Sequence, residues 1–353
     1  MNQTSSSQSP SQYELLTPKR LGQQRSKTLR AITYILLTNS LLSFGCGQLI
    51  AQQKQPAALA RKTLDATQQK QVASWVKDLG DRQYVTRQQA QTRLLKTGWP
   101  AIPYLQRAHQ DKNPERRFRA RQLSQEIRHR RSYREFQELG QQADNTIDLD
   151  QAMIAIARLI NPLINDNDLK RQLDQLAADV RKQLGPNTNP ATVAPTKAVA
   201  VIQQVIFKQH RFTGATTNYD HPNNSSLAHV LKTRKGLPIL LSHVVVSVGE
   251  RVGFPFVGVP ISGRYMVKYD GSRAPDGMPQ DDILIDPFGG GKVLTLEQLQ
   301  AIIPGIDRES AFQASTKRET VVRMLRNLEA DYQDTGNLEA ADRTASYRWL
   351  VDR

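Results

Sequence analysis

The stretch from residue 218 to residue 292 decides the fold of this chain, and it opens with the loop sequence Asn218-Tyr219-Asp220-His221-Pro222-Asn223-Asn224-Ser225-Ser226-Leu227. From Pro238 to Gly249 the sequence is then apolar except at Ser242, His243 and Ser247. A proline at the first position of such an apolar run predicts a helix that is buried at the centre of the fold.

Three segments after this helix have the composition of β-strands. They are Phe256–Val259, Tyr265–Tyr269 and Ile283–Ile285, and the polar insert at 270–282 predicts a long turn between the last two. The glycines of Gly289-Gly290-Gly291-Lys292 come next. This sequence lacks the spacing of a phosphate-binding loop and the Ser or Thr that follows its Lys, so we interpret it as a turn.

The order of these segments resembles the transglutaminase-like core of the SirB-type family, over about residues 145–331. The resemblance implies an α+β fold with a transglutaminase-like (papain-like) core and flanking α-helical repeats. Active hydrolases of this fold place a Cys at the start of the buried helix, a His on the next strand and an Asp on the strand after it.

The same resemblance implies that the catalytic residues are not retained. The Cys position falls near residues 237–240, which contain no nucleophile, and the chain's single cysteine is Cys46. Arg264 takes the place of the His, whereas Asp286 stands where the family has its Asp. An Arg stays charged and cannot exchange protons, but its planar group matches a carboxylate. We therefore treat Arg264 and Asp286 as vestigial positions and hypothesise an ion pair between them.

In active hydrolases of this fold the catalytic residues lie in a groove. The polar side chains that are expected to bind a ligand at the corresponding place are Tyr219, Asn224, Ser225, Arg264 and Asp286. A structural role competes with binding in the loop before the helix, because Asn and Asp readily satisfy their own loop backbone as turns or helix caps. The sequence leaves both interpretations open.

A weaker alternative is a hydrolase of unknown type that uses Ser242, His221 and Asp286. A catalytic serine needs a base within hydrogen-bonding reach. His243 does not qualify, because side chains of adjacent helical residues diverge by about 100°. Nothing near His221 supplies a nucleophile for it.

The N-terminal 51 residues have the layout of a signal peptide or membrane anchor. Five basic residues lie between residues 19 and 30, an apolar run from Ala31 to Leu42 follows, and small residues come after it. The sequence leaves open whether the segment is cleaved, lipidated at Cys46 or retained as an anchor. Residues 52–68 are rich in Gln, Ala and Lys and are expected to form a linker.

The net charge of +15 is unevenly distributed. Residues 1–134 contain 24 Lys and Arg against 7 Asp and Glu, and the remaining residues contain 24 against 26. Because an exported protein meets little nucleic acid, and basic and aromatic residues do not alternate, we expect no nucleic-acid partner. The basic helices around 116–134 could instead contact anionic lipid or polymer.

Helical repeats are expected on both sides of the core. Residues 69–134 resemble a HEAT-type repeat, with Phe118, Leu123 and Ile127 facing inward, and residues 313–353 resemble a tetratricopeptide-like hairpin. The core itself is assigned to residues 135–312. No metal site or cofactor is expected, because the chain has one Cys and no His-Glu-x-x-His pattern.

These patterns favour an exported, membrane-tethered protein of the cell envelope, either anchored or periplasmic. The catalytic groove would be reused without catalysis to hold a peptide or protein partner. The hydrolase and the basic envelope protein that docks on anionic lipid or polymer are the alternatives.

Export is directly testable with a periplasmic reporter fused after Arg353. We expect the reporter to be active only outside the cytoplasm, because basic residues before an apolar segment hold the N-terminus inside. A reporter that is active only in the cytoplasm would contradict this topology.

Overall fold

A four-stranded antiparallel sheet packs against a buried fifteen-residue helix at the centre of this protein. The structure is a computed structural model that describes residues 64–353, which form one compact unit. The predicted signal peptide or anchor, Cys46 and most of the predicted linker lie outside the described residues.

The elements up to the central helix are, in chain order, α1 (Ala66–Asp78), α2 (Tyr84–Thr97), α3 (Ile102–Arg107), α4 (Pro114–Gly140), α5 (Leu149–Ile160), α6 (Asp166–Leu184), α7 (Pro195–Ile202), β1 (Thr213–Gly214), α8 (Leu227–Thr233), β2 (Lys235–Gly236) and α9 (Pro238–Val252). The elements after it are β3 (Phe256–Ile261), β4 (Arg264–Tyr269), β5 (Ile283–Asp286), β6 (Lys292–Leu294), α10 (Leu296–Ile302), α11 (Arg308–Phe312), α12 (Lys317–Asp334) and α13 (Leu338–Val351).

Helix α9 is buried on nearly all sides, as its apolar sequence predicts. Leu240, Val244 and Val248 have no exposed surface, and the helix packs against α6, β3 and β4. Gly249 allows the close approach of β3, because a Cβ atom there would lie 2.6 Å from the ring of Phe256. The helix ends before Gly253, whose φ of 98° is in the left-handed region that favours glycine.

The sheet has the order β3-β4-β5-β6, and its two faces enter different cores. Successive strand residues point to opposite faces. Tyr265, Val267 and Ile285 lie in the main core with α9, whereas Met266 and Leu284 lie in a smaller core with helices α10 and α11. This arrangement is α+β, as the sequence predicts.

Helices α1 to α4 share an apolar core of their own, but the prediction that Phe118 belongs to it is wrong. Leu123 and Ile127 are buried there as expected. Phe118 is 58% exposed. The buried stripe of α4 continues through Ala120, and a residue two positions earlier points about 200° away around the helix.

Two predicted boundaries also differ from the structure. The linker was expected to reach residue 68, but α1 begins at Ala66, where Asp65 and Gln68 form a capping box. The boundary between residues 134 and 135 falls inside α4. This helix continues because Phe136 extends its apolar stripe into the main core, where the ring stacks on Tyr347 with centroids 5.2 Å apart.

A buried ion-pair network joins α4 to the core helices. The guanidinium of Arg158 on α5 lies 2.9 Å from Glu135 on α4 and 2.9 Å from Asp166 on α6, and only 2% of its side chain is exposed. Arg131 also pairs with Glu135, at 2.8 Å, and stacks over Trp99. The charges are therefore matched across three helices.

Within residues 64–353, no helix combines the length and the apolar character that crossing a membrane requires.

Removing the central cation of this network should be costly. We expect Arg158→Ala to lower the free energy of unfolding by about 3–5 kcal/mol, because Asp166 loses its 2.9 Å partner and Glu135 keeps only Arg131. The matched control is Arg171→Ala, which breaks the exposed 2.9 Å pair with Asp168 and should cost less than about 1 kcal/mol. Urea unfolding of the full-length protein measures both values, and equal losses would contradict the prediction.

Candidate functional site

The start of α9 marks where the nucleophile of an active transglutaminase-like hydrolase would stand. Leu237, just before the helix, is 3% exposed, and Ile239 in its first turn is 1% exposed. Both side chains belong to the main apolar core. This position therefore offers neither a nucleophilic atom nor access for a substrate to one.

Two very short strands bring the preceding loop beside the start of α9. β1 pairs in parallel with β2, with Gly214 opposite Gly236. Gly214 also lets Phe288 approach, because a Cβ atom there would lie 2.5 Å from that ring. Phe288 in turn meets Tyr219 edge to face, with centroids 6.2 Å apart. The loop and the turn after β5 thus form an aromatic wall at this end of the helix.

Arg264 begins β4, and its backbone is held by a second arginine. Arg323 of α12 donates hydrogen bonds to the carbonyl oxygens of Arg264 at 2.7 Å and Ile261 at 3.2 Å. The same guanidinium stacks over the ring of Tyr265 at 5.4 Å from its centroid. Helix α12 therefore fixes the end of the β3–β4 hairpin, and Arg264 is half-buried beside it.

Asp286 ends β5 and is 3% exposed. Its carboxylate accepts a hydrogen bond from the backbone N–H of Gly289 at 3.1 Å, and its carbonyl accepts one from Gly291 at 2.8 Å. Val267 pairs with Ile285 in the antiparallel β4–β5 ladder, so the next pair along the ladder would be Met266 and Asp286. Met266 is two positions along β4 from Arg264. Asp286 thus caps the glycine turn. The hypothesised ion pair between Arg264 and Asp286 stays a prediction.

Asn224 and Ser225 are buried and hold the loop in place. The Asn224 side-chain amide donates to the carbonyl oxygens of Asn218 at 2.7 Å and Tyr219 at 3.1 Å. The hydroxyl of Ser225 donates to Asp331 of α12 at 2.7 Å. These contacts give both residues the backbone-supporting role that the loop composition allows, and they fix the position of Tyr219.

Charged groups surround Tyr219 and Asp331. Burial raises the pKa of the Tyr219 hydroxyl, Asp220 and Asp331 raise it further, and Arg323 and Arg264 lower it. Burial also raises the pKa of Asp331 to about 6, against the hydrogen bond from Ser225 that lowers it. Tyr219 and Asp331 therefore belong to a polar cluster of both signs, formed where the loop, β4 and α12 meet.

The three residues of the hydrolase alternative each contact other groups. The hydroxyl of Ser242 is fully buried and donates to the carbonyl oxygen of Tyr265 at 3.3 Å. His221 is exposed, and its Nδ1 accepts from the backbone N–H of Asn223 at 3.1 Å. Asp286 caps its own turn. The structure therefore does not assemble these side chains as a hydrogen-bonded triad.

A buried polar network, which was not predicted from the sequence, joins α9 to Asp150 of α5. His243 is 3% exposed, and its Nε2 lies 3.1 Å from the Oδ1 atom of Asp150, outside hydrogen-bond alignment. The same carboxylate accepts from Ser247 at 2.7 Å and pairs with Arg251 at 2.7 Å. Burial alone would raise the pKa of Asp150, but contact with these three groups holds it far below its usual value. Asp150 lies 93 positions before His243, so no local spacing pattern indicates this contact.

Comparison with known proteins supports the same core. Residues 167–326 match the sequence profile described as Transglutaminase-like superfamily. The chain contains a transglutaminase-like core. The predicted α+β class with this core and flanking helices is confirmed.

Relatives of this core occur in bacteria and in animals. A UPF0162 protein of Xylella fastidiosa is 29% identical over 213 residues, which cover 57% of this chain and 71% of the relative. A UPF0162 protein of Pseudomonas aeruginosa is 24% identical, over 55% of this chain and 68% of the relative. F-box only protein 21 of Homo sapiens is 24% identical, over 60% of this chain and 36% of the relative. No solved structure gives a significant match.

The raised pKa of Asp331 predicts a pH-dependent stability difference. A carboxyl whose pKa is higher in the folded state than its ordinary 3.8 is destabilising when ionised. Asp331→Asn should therefore stabilise the protein by up to about 3 kcal/mol above pH 6, and this gain should fade as the pH falls towards 4. The measurement is urea unfolding of both proteins across this pH range.

The matched control is Asp342→Asn, which changes an exposed carboxylate on α13. Its stability difference from the natural protein should stay small at every pH. A gain from Asp331→Asn that does not vary between pH 4 and 7 would contradict the assignment.

Proposed function

We propose that this protein is a non-catalytic transglutaminase-like module that holds a peptide or protein segment in the former catalytic groove. The observation that carries the proposal is the replacement of the reactive positions. Buried apolar side chains occupy the start of α9, and Arg264 stands at the position of the His. Fold alone does not assign function, so the argument rests on these positions.

The surroundings of the groove favour binding of a peptide. Tyr219, Phe288, Arg264 and Arg323 are all partly exposed, and Asn224 and its neighbours fix the loop that presents Tyr219. Aromatic and arginine side chains on a preorganised surface are the groups that dominate protein interfaces. We expect the partner to pack a side chain against Tyr219 and to place a carboxylate near Arg264 and Arg323.

The finer assignments belong to the same proposal. We assign the core to the SirB-type family, the helices α1–α4 to a HEAT-like segment and the α12–α13 pair to a tetratricopeptide-like hairpin. We also place the protein in the cell envelope, exported and membrane-tethered through its N-terminal segment, with no nucleic-acid partner. The charge layout of residues 1–51 supports this placement.

A second function is favoured by the charge of the N-terminal helices. Phe118 is exposed on α4, next to Arg117 and Arg119, so a basic and partly apolar face is available to an anionic lipid or polymer. Arg119 is engaged with Glu115 at 2.6 Å, however, and Arg116 with Asp111 at 2.9 Å. These pairs reduce the free positive charge, so we rank this function below peptide binding.

The test is site-specific photocrosslinking in cells. A photoreactive phenylalanine analogue at Tyr219 should give an adduct of discrete mass with a protein or peptide, because this side chain lies at the groove. The same analogue at Tyr84, an exposed residue of α2, serves as the control and should give no such adduct.

A second change tests whether the groove itself forms the contact. Arg264→Ala should weaken the Tyr219 adduct several-fold if its guanidinium contacts the partner. Equal adducts at Tyr219 and Tyr84, or none at Tyr219, would contradict the proposal. Adducts to lipid from both positions would favour the envelope-docking function.

A further inference from the structure

A separate cavity lies along α9 from Ser242 to Glu250, beyond the first turn of the helix. Its volume is about 230 Å³, smaller than a drug-sized pocket. Its apolar wall includes Val246, Phe254 and Phe256, and Tyr265 closes it towards α12. The hydroxyl of Tyr265 is already bound to Thr320 at 2.8 Å. The cavity therefore combines an aromatic wall with a hydroxyl-lined end.

His243 supplies a buried polar atom to this cavity. The residue is part of the lining, whereas Asp150, beside its Nε2, is not. Because Nε2 lies 3.1 Å from the carboxylate, we place the ring proton on Nε2, which leaves the Nδ1 lone pair as an acceptor. That Nδ1 atom is buried and has no hydrogen-bond partner in the described part of the chain. A buried acceptor without a partner is costly, so a ligand that donates to it would stabilise the site.

The residues that line the cavity include two positively charged side chains, Lys317 and Arg273, and one negatively charged side chain, Glu250. Lys317 lies 3.8 Å from Glu250, so these two charges balance each other. Arg273 also lines the cavity, and its side chain makes no ion pair or hydrogen bond among residues 64–353. Its planar group is suited to bind a carboxylate through two hydrogen bonds.

We propose that this cavity binds a small hydroxy acid with an apolar body. The carboxylate meets Arg273 at the rim, the apolar body lies against Val246 and the phenylalanine rings, and the hydroxyl donates to Nδ1 of His243. None of the side chains assigned to this ligand is among those proposed to hold the peptide, so the proposal stands or falls independently of that function.

The experiment is calorimetric titration of the full-length protein in detergent with 3- and 4-hydroxybenzoate. We expect at least one isomer to bind with a dissociation constant in the millimolar range or below, as suits a ligand of this size. Benzoate, which lacks the donor, should bind about three- to tenfold more weakly. Phenol, which lacks the acid, should bind about tenfold more weakly or not at all.

Three variants locate the binding. Arg273→Gln should weaken the better isomer about tenfold, and Val246→Phe should abolish binding by filling the cavity. Arg171→Gln, an exposed arginine outside the cavity, is the matched control and should leave the affinity unchanged. If Val246→Phe loses its cooperative melting, Arg273→Gln decides the question, because that residue is exposed and its side chain is unpaired.

Each contrary result overturns a stated part of the proposal. No binding of either isomer, or equal affinity in the natural protein and Arg273→Gln, removes the site. Equal affinity for phenol and the hydroxybenzoates removes the carboxylate assignment. Equal affinity for benzoate removes the role of His243.

Discussion

Burial of helix α9 is the constraint on which the rest of the structure depends. The helix is apolar on almost every side, so it must be enclosed by α6 and by strands β3 and β4. Leu240, Val244 and Val248 reach zero exposure only because these elements surround them. Glycine at position 249 lets the sheet approach closely enough for Phe256 to touch the helix backbone. The sheet, the loop before α9 and helix α12 all take their places around this packing.

The same burial explains why the two ends of α9 differ in chemistry. At the first turn, apolar residues fill the position of the nucleophile, and polar side chains of the loop, β4 and α12 remain beside it. Further along the helix, His243 lies beside Asp150, and a cavity opens next to the aromatic wall. The ring of Tyr265 contributes to both regions, because it lines the cavity and also stacks under Arg323. The two proposed sites are therefore adjacent through Tyr265 but use different side chains for binding.

Charge pairing across long sequence distances holds the flanking helices to the core. Arg158 links α4, α5 and α6 through Glu135 and Asp166, and Arg251 links α5, α6 and α9 through Asp150 and Asp174. Arg318 adds a third link, since its guanidinium donates to the carbonyl oxygen of Val351 at 2.7 Å and to that of Gly140 at 3.2 Å. These contacts add charge pairing to the apolar packing within the compact unit of residues 64–353.

The sequence by itself determined the fold class, the buried helix and its strands, and the absence of a nucleophilic side chain at residues 237–240, because these follow from local composition and from residue types at fixed positions. It did not determine where α4 ends or that Phe118 is exposed, since the helix continues wherever another element covers its apolar stripe. Only the tertiary structure brought Asp150 to His243 and Asp331 to Ser225. Such pairs join residues about a hundred positions apart, and their energies depend on burial and alignment that no local pattern encodes. The tertiary structure also separated Ser242, His221 and Asp286 into different hydrogen bonds, because each side chain satisfies the backbone nearest to it.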